Sequence, residues 1–167
     1  TISMWQHREQ IIEPGKAFKP MMTFGLRGCT AALIAIKKNK NFIRVMLIHD
    51  PSKDKVAEYV IEKLELYRDQ KYSSYIIIRS PGEYQQIGKN WYMTSKDNGY
   101  WNKELKKLKK FNNIKFCIEG YNLNENLSFS SSQSFDANTS LHCKLVENEL
   151  QYTNTIGKWI NIEHCNK

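Results

Sequence analysis

The chain has 167 residues, of which 41% are hydrophobic and 12% are aromatic, and this composition excludes an intrinsically disordered protein. Its formal net charge of +8 comes mainly from lysine (20 Lys against 5 Arg), which together with 15 Asn indicates AT-rich codons rather than a nucleic-acid partner. No window approaches the roughly 20 apolar residues of a membrane span, and the first residues lack a signal-peptide layout. We predict a single domain over residues 1–167, and the absence of an initial methionine leaves open that it is cut from a longer protein.

The first half of the chain predicts a hairpin followed by a helix. Residues 1–20 show no periodicity and are interpreted as an N-terminal arm or short strand. The apolar runs at 30–36 and 42–48, joined by a polar turn, are typical of two buried antiparallel strands. Apolar residues then recur at helical spacing over 54–69, after a capping Ser52 or Asp54.

The second half predicts further strands and a second helix. Residues 83–100 are interpreted as irregular, and Leu105 and Leu108 among lysines predict an amphipathic helix over 103–110. We expect strands at 75–78, 114–118, 127–129, 140–146 and 157–162. The expected fold is therefore α+β, a mostly antiparallel sheet or sandwich with two main helices. The basic helix face is interpreted as solvated, with an acidic partner or anionic membrane surface as the alternative.

The four cysteines stand far apart and form no CxxC pair: Cys29, Cys117, Cys143 and Cys165. Thiols in a reducing compartment are the simplest interpretation, and two disulfides are left open. The neighbours His142–Cys143 and His164–Cys165 suggest a metal site, but adjacent strand residues point to opposite faces. We therefore predict no metal site.

The stretch Thr23 to Thr30 carries the strongest functional pattern. Cys29 follows Gly28 at the start of one predicted strand, and His49 ends the strand that pairs with it. Antiparallel pairing brings such ends together although 20 residues separate them. A histidine beside a cysteine can take its proton, and nearby backbone N–H groups can stabilise an oxyanion. We predict Cys29 as nucleophile, His49 as base, Thr23 as the group that orients the imidazole, and the N–H groups of Gly28 and Cys29 as oxyanion donors; from spacing alone, a buried structural cysteine is the alternative.

This pattern resembles the glutamine deamidase group that contains the chemoreceptor deamidase CheD, the cytotoxic necrotizing factors and the Burkholderia lethal factor. These proteins share a threonine, a cysteine with small neighbours at a strand start and a histidine on the next strand, which Thr23, Gly28-Cys29-Thr30 and His49 match in order. The predicted order of strands and helices also resembles CheD. Arg27 departs from the pattern, since a small residue or serine is usual there in the toxins.

The resemblance implies a cysteine-dependent protein-glutamine deamidase that converts a glutamine to glutamate through a thioester and releases ammonia. It also implies that no metal or organic cofactor is needed. It implies a toxin or effector domain, secreted or delivered and acting in a host cytosol, with cytoplasmic action as the alternative. The expected partner is a glutamine-bearing host protein such as a small GTPase or a translation factor. Arg27, Trp91 and Tyr92 are the expected substrate-binding residues, and we expect a monomer.

Three alternatives remain open at this point. With an amine in place of water, the same thioester gives transglutamination. A non-catalytic protein-binding module could keep the fold. The aromatic residues of 91–101 form either a pocket beside Cys29 or a satellite core under a loop.

Overall fold

The computed structural model describes residues 6–108, 113–122 and 137–165, which form two β-sheets and two α-helices. The helices are α1 (Lys53–Glu65) and α2 (Asn98–Lys106). The strands in chain order are β1 (Gln6–Ile11), β2 (Met21–Thr23), β3 (Thr30–Lys38), β4 (Asn41–Asp50), β5 (Tyr72–Ile87), β6 (Asn90–Ser95), β7 (Ile114–Tyr121), β8 (Leu141–Val146), β9 (Glu149–Thr153) and β10 (Trp159–Asn161).

The first sheet has the strand order β1-β4-β3-β5-β6, with β7 beside β5, and the second has the order β10-β9-β8-β2. Every strand pair is antiparallel except β5 and β7, which run parallel. The predicted α+β class, mostly antiparallel with two helices, is thus confirmed. The predicted hairpin of strands 30–36 and 42–48 is β3 and β4.

Strand β3 lies at the centre of the first sheet and is buried on both faces, which is why its sequence is a continuous apolar run. Ile34 and every second residue of β3 on the same face pack under α1 and α2 in an apolar cluster. We call this side of the first sheet the helical layer. Leu33 and its alternate neighbours pack against residues of the second sheet, on the opposite side, which we call the inter-sheet layer. The side-chain period of two along a strand produces this division.

Both helices cover the helical layer with the faces that their apolar spacing predicts. Helix α1 begins after Ser52, whose side chain accepts the N–H of Lys55 at 3.3 Å. Helix α2 starts five residues before the predicted 103–110 and buries Trp101 and Leu105, while Lys103 and Lys106 are exposed. Within the described ranges, no helix combines the length and apolar character that a membrane crossing needs.

The expectation of irregular structure over 83–100 is wrong. Strand β5 continues to Ile87, turns at Gly88 and returns as β6, with Ile87 paired to Asn90. Both faces of this hairpin tip are exposed, so the sequence there has no apolar alternation to reveal it. The prediction missed β9, whereas 140–146 and 157–162 contain β8 and β10. The predicted strand 127–129 lies outside the described residues.

The expectation of four thiols is also wrong, because Cys117 and Cys165 form a disulfide. Cys117 lies on β7, and Cys165 follows a short 3-10 turn at Ile162–His164. The carboxylate of Glu163, in the same turn, accepts hydrogen bonds from Lys37 at 2.8 Å and Tyr75 at 3.1 Å. Strand pairing brings these residues together although they are distant in sequence. The disulfide and the contacts of Glu163 therefore hold the C-terminal segment against the first sheet.

Candidate active site

The strand register places His49 in the inter-sheet layer. Ala31 of β3 is paired with His49 of β4, and the ladder continues without a shift through Leu33 and Leu47, which belong to the inter-sheet cluster. His49 therefore points toward the second sheet, and its side chain is 1% exposed. A histidine on the opposite sheet face would have excluded a role beside Cys29.

Thr23, on β2 of the second sheet, meets His49 across the layer. A hydrogen bond of 2.8 Å joins Thr23 Oγ1 and His49 Nδ1. The other ring nitrogen, Nε2, is buried and has no hydrogen-bond partner among the described residues. In the tautomer in which Nδ1–H donates to Thr23, Nε2 carries the lone pair that a general base needs. Four other buried side-chain atoms of the described residues also lack a partner, among them Arg79 Nε and Trp101 Nε1; Nε2 of His49 differs from these two nitrogens because in this tautomer it can accept a proton.

Cys29 stands immediately before β3 and belongs to the inter-sheet cluster, with 4% of its surface exposed. It is two residues from Ala31, the partner of His49, so Cys29 and His49 are diagonal neighbours on one face of the first sheet. Such neighbours lie about 7–8 Å apart at the backbone, within reach of longer side chains. Because Nε2 has no partner, the expected Cys29–His49 hydrogen bond at that nitrogen is not formed in this structure.

Burial keeps both candidate reacting groups neutral. Desolvation raises the pKa of Cys29, and Asp50 adds to the rise, while a backbone hydrogen bond at Arg27 opposes it. Desolvation also lowers the pKa of His49 to about 4, against the attraction of Asp50. At neutral pH the site thus holds a thiol and an uncharged imidazole rather than a thiolate–imidazolium pair.

Tyr121 corrects one prediction about the loop before Cys29. Its buried hydroxyl accepts the N–H of Gly28 at 2.8 Å and donates to the carbonyl oxygen of Cys29 at 2.7 Å. The N–H of Gly28 is therefore bound within the protein and is not directed at a substrate. Gly28 has φ of 90°, in the left-handed region that favours glycine. The predicted oxyanion role stays with the N–H of Cys29.

The predicted substrate-binding residues lie in two separate places. Arg27 is exposed next to Cys29. Trp91 and Tyr92 are 64% and 47% exposed on the β5–β6 hairpin, where Trp91 is paired with Gln86. Since β5 passes the start of β3 near Ser80, Trp91 lies about six residues, or roughly 20 Å of extended strand, beyond that point. These two aromatic residues therefore lie too far along the hairpin to contact a side chain bound at Cys29.

Trp101 belongs to the hydrophobic core. It is fully buried in the helical layer, on the other side of the first sheet from Cys29, and Tyr100 bonds to Asp54. The interpretation of residues 91–101 as one aromatic pocket beside Cys29 is therefore wrong.

Sequence reasoning missed a second buried polar group, Arg79 on β5. Ala31 of β3 is paired with His49 of β4 on one side and with Arg79 of β5 on the other, and Arg79 is fully buried. Its guanidinium donates to the carbonyls of Ser140 and Thr153 at 2.6 Å each and to the carboxylate of Glu119 at 3.2 and 3.3 Å. These contacts tie the two sheets together beside the candidate site. In the sequence, an arginine directly after an apolar run is typical of a strand end. Only the continuation of β5 beyond Arg79 would have indicated that its side chain is buried.

The histidine–cysteine neighbours do not form a metal centre in the described part of the chain. Cys165 is in the disulfide, while Cys143 is buried in the inter-sheet layer and its pKa is raised to about 12 by burial. In residues 6–108, 113–122 and 137–165, no group of three or more His, Cys, Asp or Glu side chains is placed to hold a metal ion.

Comparison with known proteins adds no family to this geometry, since no family model, curated protein or solved structure matches the chain.

Proposed function

We propose that this chain is a cysteine-dependent protein-glutamine deamidase with Cys29 as nucleophile, His49 as base and Thr23 as the orienting group. The observation that carries the proposal is the Thr23–His49 hydrogen bond, which leaves a buried, unpartnered Nε2 on the sheet face that Cys29 shares. A cysteine, a histidine and a polar residue that orients it are the parts of a thiol-dependent acyl-transfer site.

The proposed reaction has two halves. Cys29 Sγ attacks the side-chain amide carbon of a glutamine while His49 Nε2 takes the thiol proton. The tetrahedral intermediate collapses with breakage of the carbon–nitrogen bond, and His49 returns the proton to the departing ammonia. Water, deprotonated by His49, then attacks the thioester, which yields glutamate and restores the Cys29 thiol. The N–H of Cys29 is the proposed oxyanion donor.

The burial of the site sets a condition on this reaction. Cys29 and His49 are 4% and 1% exposed, so the glutamine side chain must displace covering residues to reach them. Because both groups are neutral, proton transfer to His49 has to accompany the attack rather than precede it. We infer that productive contact between Sγ and Nε2 forms when the buried site opens to a substrate or to a small thiol reagent, since catalytic hydrogen bonds are often long or poorly aligned before binding.

The proposed biological setting is a CheD-like toxin or effector domain that acts on a host protein such as a small GTPase or a translation factor. The Cys117–Cys165 disulfide supports passage through an oxidising compartment before action, because such bonds form mainly there. The exposed hairpin residues Trp91 and Tyr92 suit contact with a protein surface, and Arg27 lies where it would meet the residues around the glutamine.

The test compares the wild type with Cys29→Ser, His49→Ala and Cys143→Ser in a eukaryotic cell lysate, with mass spectrometry of glutamine-to-glutamate conversion. We expect specific conversion by the wild type, a loss on the order of 10³-fold in Cys29→Ser and of about 10²–10⁴-fold in His49→Ala. Cys143→Ser is the matched control, since it removes another buried thiol and should keep activity. Conversion by Cys29→Ser equal to that of the wild type would refute the proposal.

Transglutamination is distinguished in the same assay by an added primary amine. Incorporation of the amine at the converted glutamines, dependent on Cys29, would assign the amine rather than water as the acceptor.

A protein-binding module is the second candidate, favoured by the closed, neutral site and by the exposed apolar side chains Tyr84, Ile87, Trp91 and Tyr92 on the hairpin. It predicts a host complex that survives Cys29→Ser and is lost in Trp91→Ala, without any glutamine conversion.

A further inference from the structure

A single hydroxyl group holds the backbone on both sides of the candidate nucleophile. Tyr121 ends β7, is fully buried and is paired with Pro81 of β5, within the first sheet. Its hydroxyl accepts the N–H of the residue before Cys29 and donates to the carbonyl of Cys29 itself. One side chain therefore binds a backbone N–H before the Gly28–Cys29 peptide bond and a backbone carbonyl after it.

The loop that bears Cys29 needs such an external anchor. Gly25 and Gly28 have φ of 71° and 90°, so the segment between β2 and β3 has no regular hydrogen-bond ladder. The N–H of Leu26 donates to the carbonyl of Thr139 at 2.9 Å, and Tyr121 holds the backbone at Gly28 and Cys29. At Gly28, a built Cβ would meet no atom within 4 Å, so its backbone angle rather than crowding calls for glycine.

The hydrogen bond to the Cys29 carbonyl requires a protonated phenol. Burial raises the pKa of Tyr121, and the nearby Cys29 adds to the rise, against the lowering effect of the Gly28 N–H. The hydroxyl therefore keeps its proton at neutral pH. A phenylalanine at this position would leave the N–H of Gly28 and the buried carbonyl of Cys29 without this partner.

We propose that Tyr121 is a positioning residue that fixes the Cys29 backbone so that the thiol is directed toward His49 Nε2. This inference rests on the proposed function, because it assumes that His49 activates Cys29. Tyr121 touches neither the substrate nor the reacting atoms in this role. It acts through the peptide groups of Gly28 and Cys29, 93 and 92 residues away in the chain.

The test is a double-mutant cycle on the alkylation of Cys29 by iodoacetamide, which needs no knowledge of the substrate protein. The quantity measured is the ratio of the rate with His49 to the rate in His49→Ala, across pH, first in the wild type and then with Tyr121→Phe. This ratio cancels changes in the exposure of Cys29 that Tyr121→Phe causes alone. We expect Tyr121→Phe to lower this ratio about tenfold, or to one where the wild-type ratio is itself below about ten. A tenfold change corresponds to the loss of one net hydrogen bond.

Tyr152→Phe is the matched control. Tyr152 is buried in the same inter-sheet layer, and its hydroxyl bonds to Glu119 rather than to the Cys29 loop. We expect its ratio to equal that of the wild type. An unchanged ratio in Tyr121→Phe would overturn the positioning role alone, whereas a ratio of one in the wild type would overturn the proposed function as well.

A second variant covers the case in which Tyr121→Phe does not fold. A fluorinated tyrosine at position 121 keeps the ring and the hydroxyl but makes the hydroxyl a stronger donor and a weaker acceptor. A His49-dependent rate that differs from the wild type at equal stability supports the positioning role. Identical rates and pH profiles overturn it.

Discussion

The two sides of the first sheet bury their central strand equally but differ in chemistry. On the helical layer, the residues of β3 and its neighbours form an apolar cluster that includes Ile34, Ile76 and Trp101. On the inter-sheet layer, Leu33 and Ile77 are joined by the buried ionisable residues Cys29, His49 and Arg79. Apolar side chains would fill that space at lower cost, since burial of a polar group lowers stability unless the group is paired. The difference supports the proposal that the reacting groups lie in the inter-sheet layer.

The polar residues of the inter-sheet layer are not spread along it. His49, Ala31 and Arg79 lie in one row across β4, β3 and β5, and Cys29 stands at the adjacent end of β3. Arg79 has carbonyl and carboxylate partners, which suit a structural role between the sheets. Each of these two side chains keeps one buried nitrogen without a hydrogen-bond partner in the described part of the chain, Nε of Arg79 and Nε2 of His49. The two nitrogens differ in chemistry, because the guanidinium stays protonated whereas a neutral imidazole can accept a proton, as the proposed role of His49 requires.

The largest predicted effects come from a matched pair of truncations on β3. Leu33 and Ile34 are adjacent, fully buried and directed to opposite layers. Leu33→Ala and Ile34→Ala should each lower the free energy of unfolding by about 2–5 kcal/mol, measured by urea denaturation. Both variants lose stability, which by itself alters the alkylation rate of Cys29. Only Leu33→Ala should change that rate further, because its cavity opens beside the site. Equal alkylation rates at equal stability would remove the functional contrast between the layers.

The parts of the fold that sequence reasoning predicted are those in which side-chain period and burial agree. The strands 30–36 and 42–48 and the helix after Ser52 have strong apolar patterns and short, local connections. The β5–β6 hairpin was missed because both faces of its tip are exposed, and the start of α2 because Asp97 forms no side-chain cap there.

The same limit applies to the candidate site. Thr23, Cys29 and His49 could be predicted because a short motif and one hairpin register bring Cys29 and His49 together. Tyr121 and Arg79 reach the site from β7 and β5 through contacts between residues distant in sequence, and the Cys117–Cys165 pairing depends on the path of the C-terminal segment. Composition and local periodicity contain no information about such contacts.

Acid should destabilise the inter-sheet layer through His49. Its pKa is about 4 in the folded protein and about 6.5 in the unfolded chain, so the unfolded state binds more protons between these values. Stability is thus fully present above pH 6.5 and falls as the pH drops toward 4, by about 3 kcal/mol for this group. Urea denaturation of the wild type and His49→Gln at several pH values measures this contribution. His142, whose pKa is also lowered, leaves a smaller slope of the same sign in the variant, and equal slopes in both proteins would contradict the burial of a neutral His49.

The smallest predicted effect separates the orienting role of Thr23 from its packing. Thr23→Val keeps the shape of the side chain but leaves His49 Nδ1 without the 2.8 Å hydrogen bond, and should lower the free energy of unfolding by about 1–2 kcal/mol. Loss of this bond also frees the imidazole to rotate, so the His49-dependent alkylation of Cys29 should fall with it. Thr23→Ser retains the hydroxyl and should recover most of that rate although it loses the methyl group. If Thr23→Ser and Thr23→Val behave alike, the threonine serves only to fill the inter-sheet layer, because a role in orienting His49 depends on the oxygen and not on the volume.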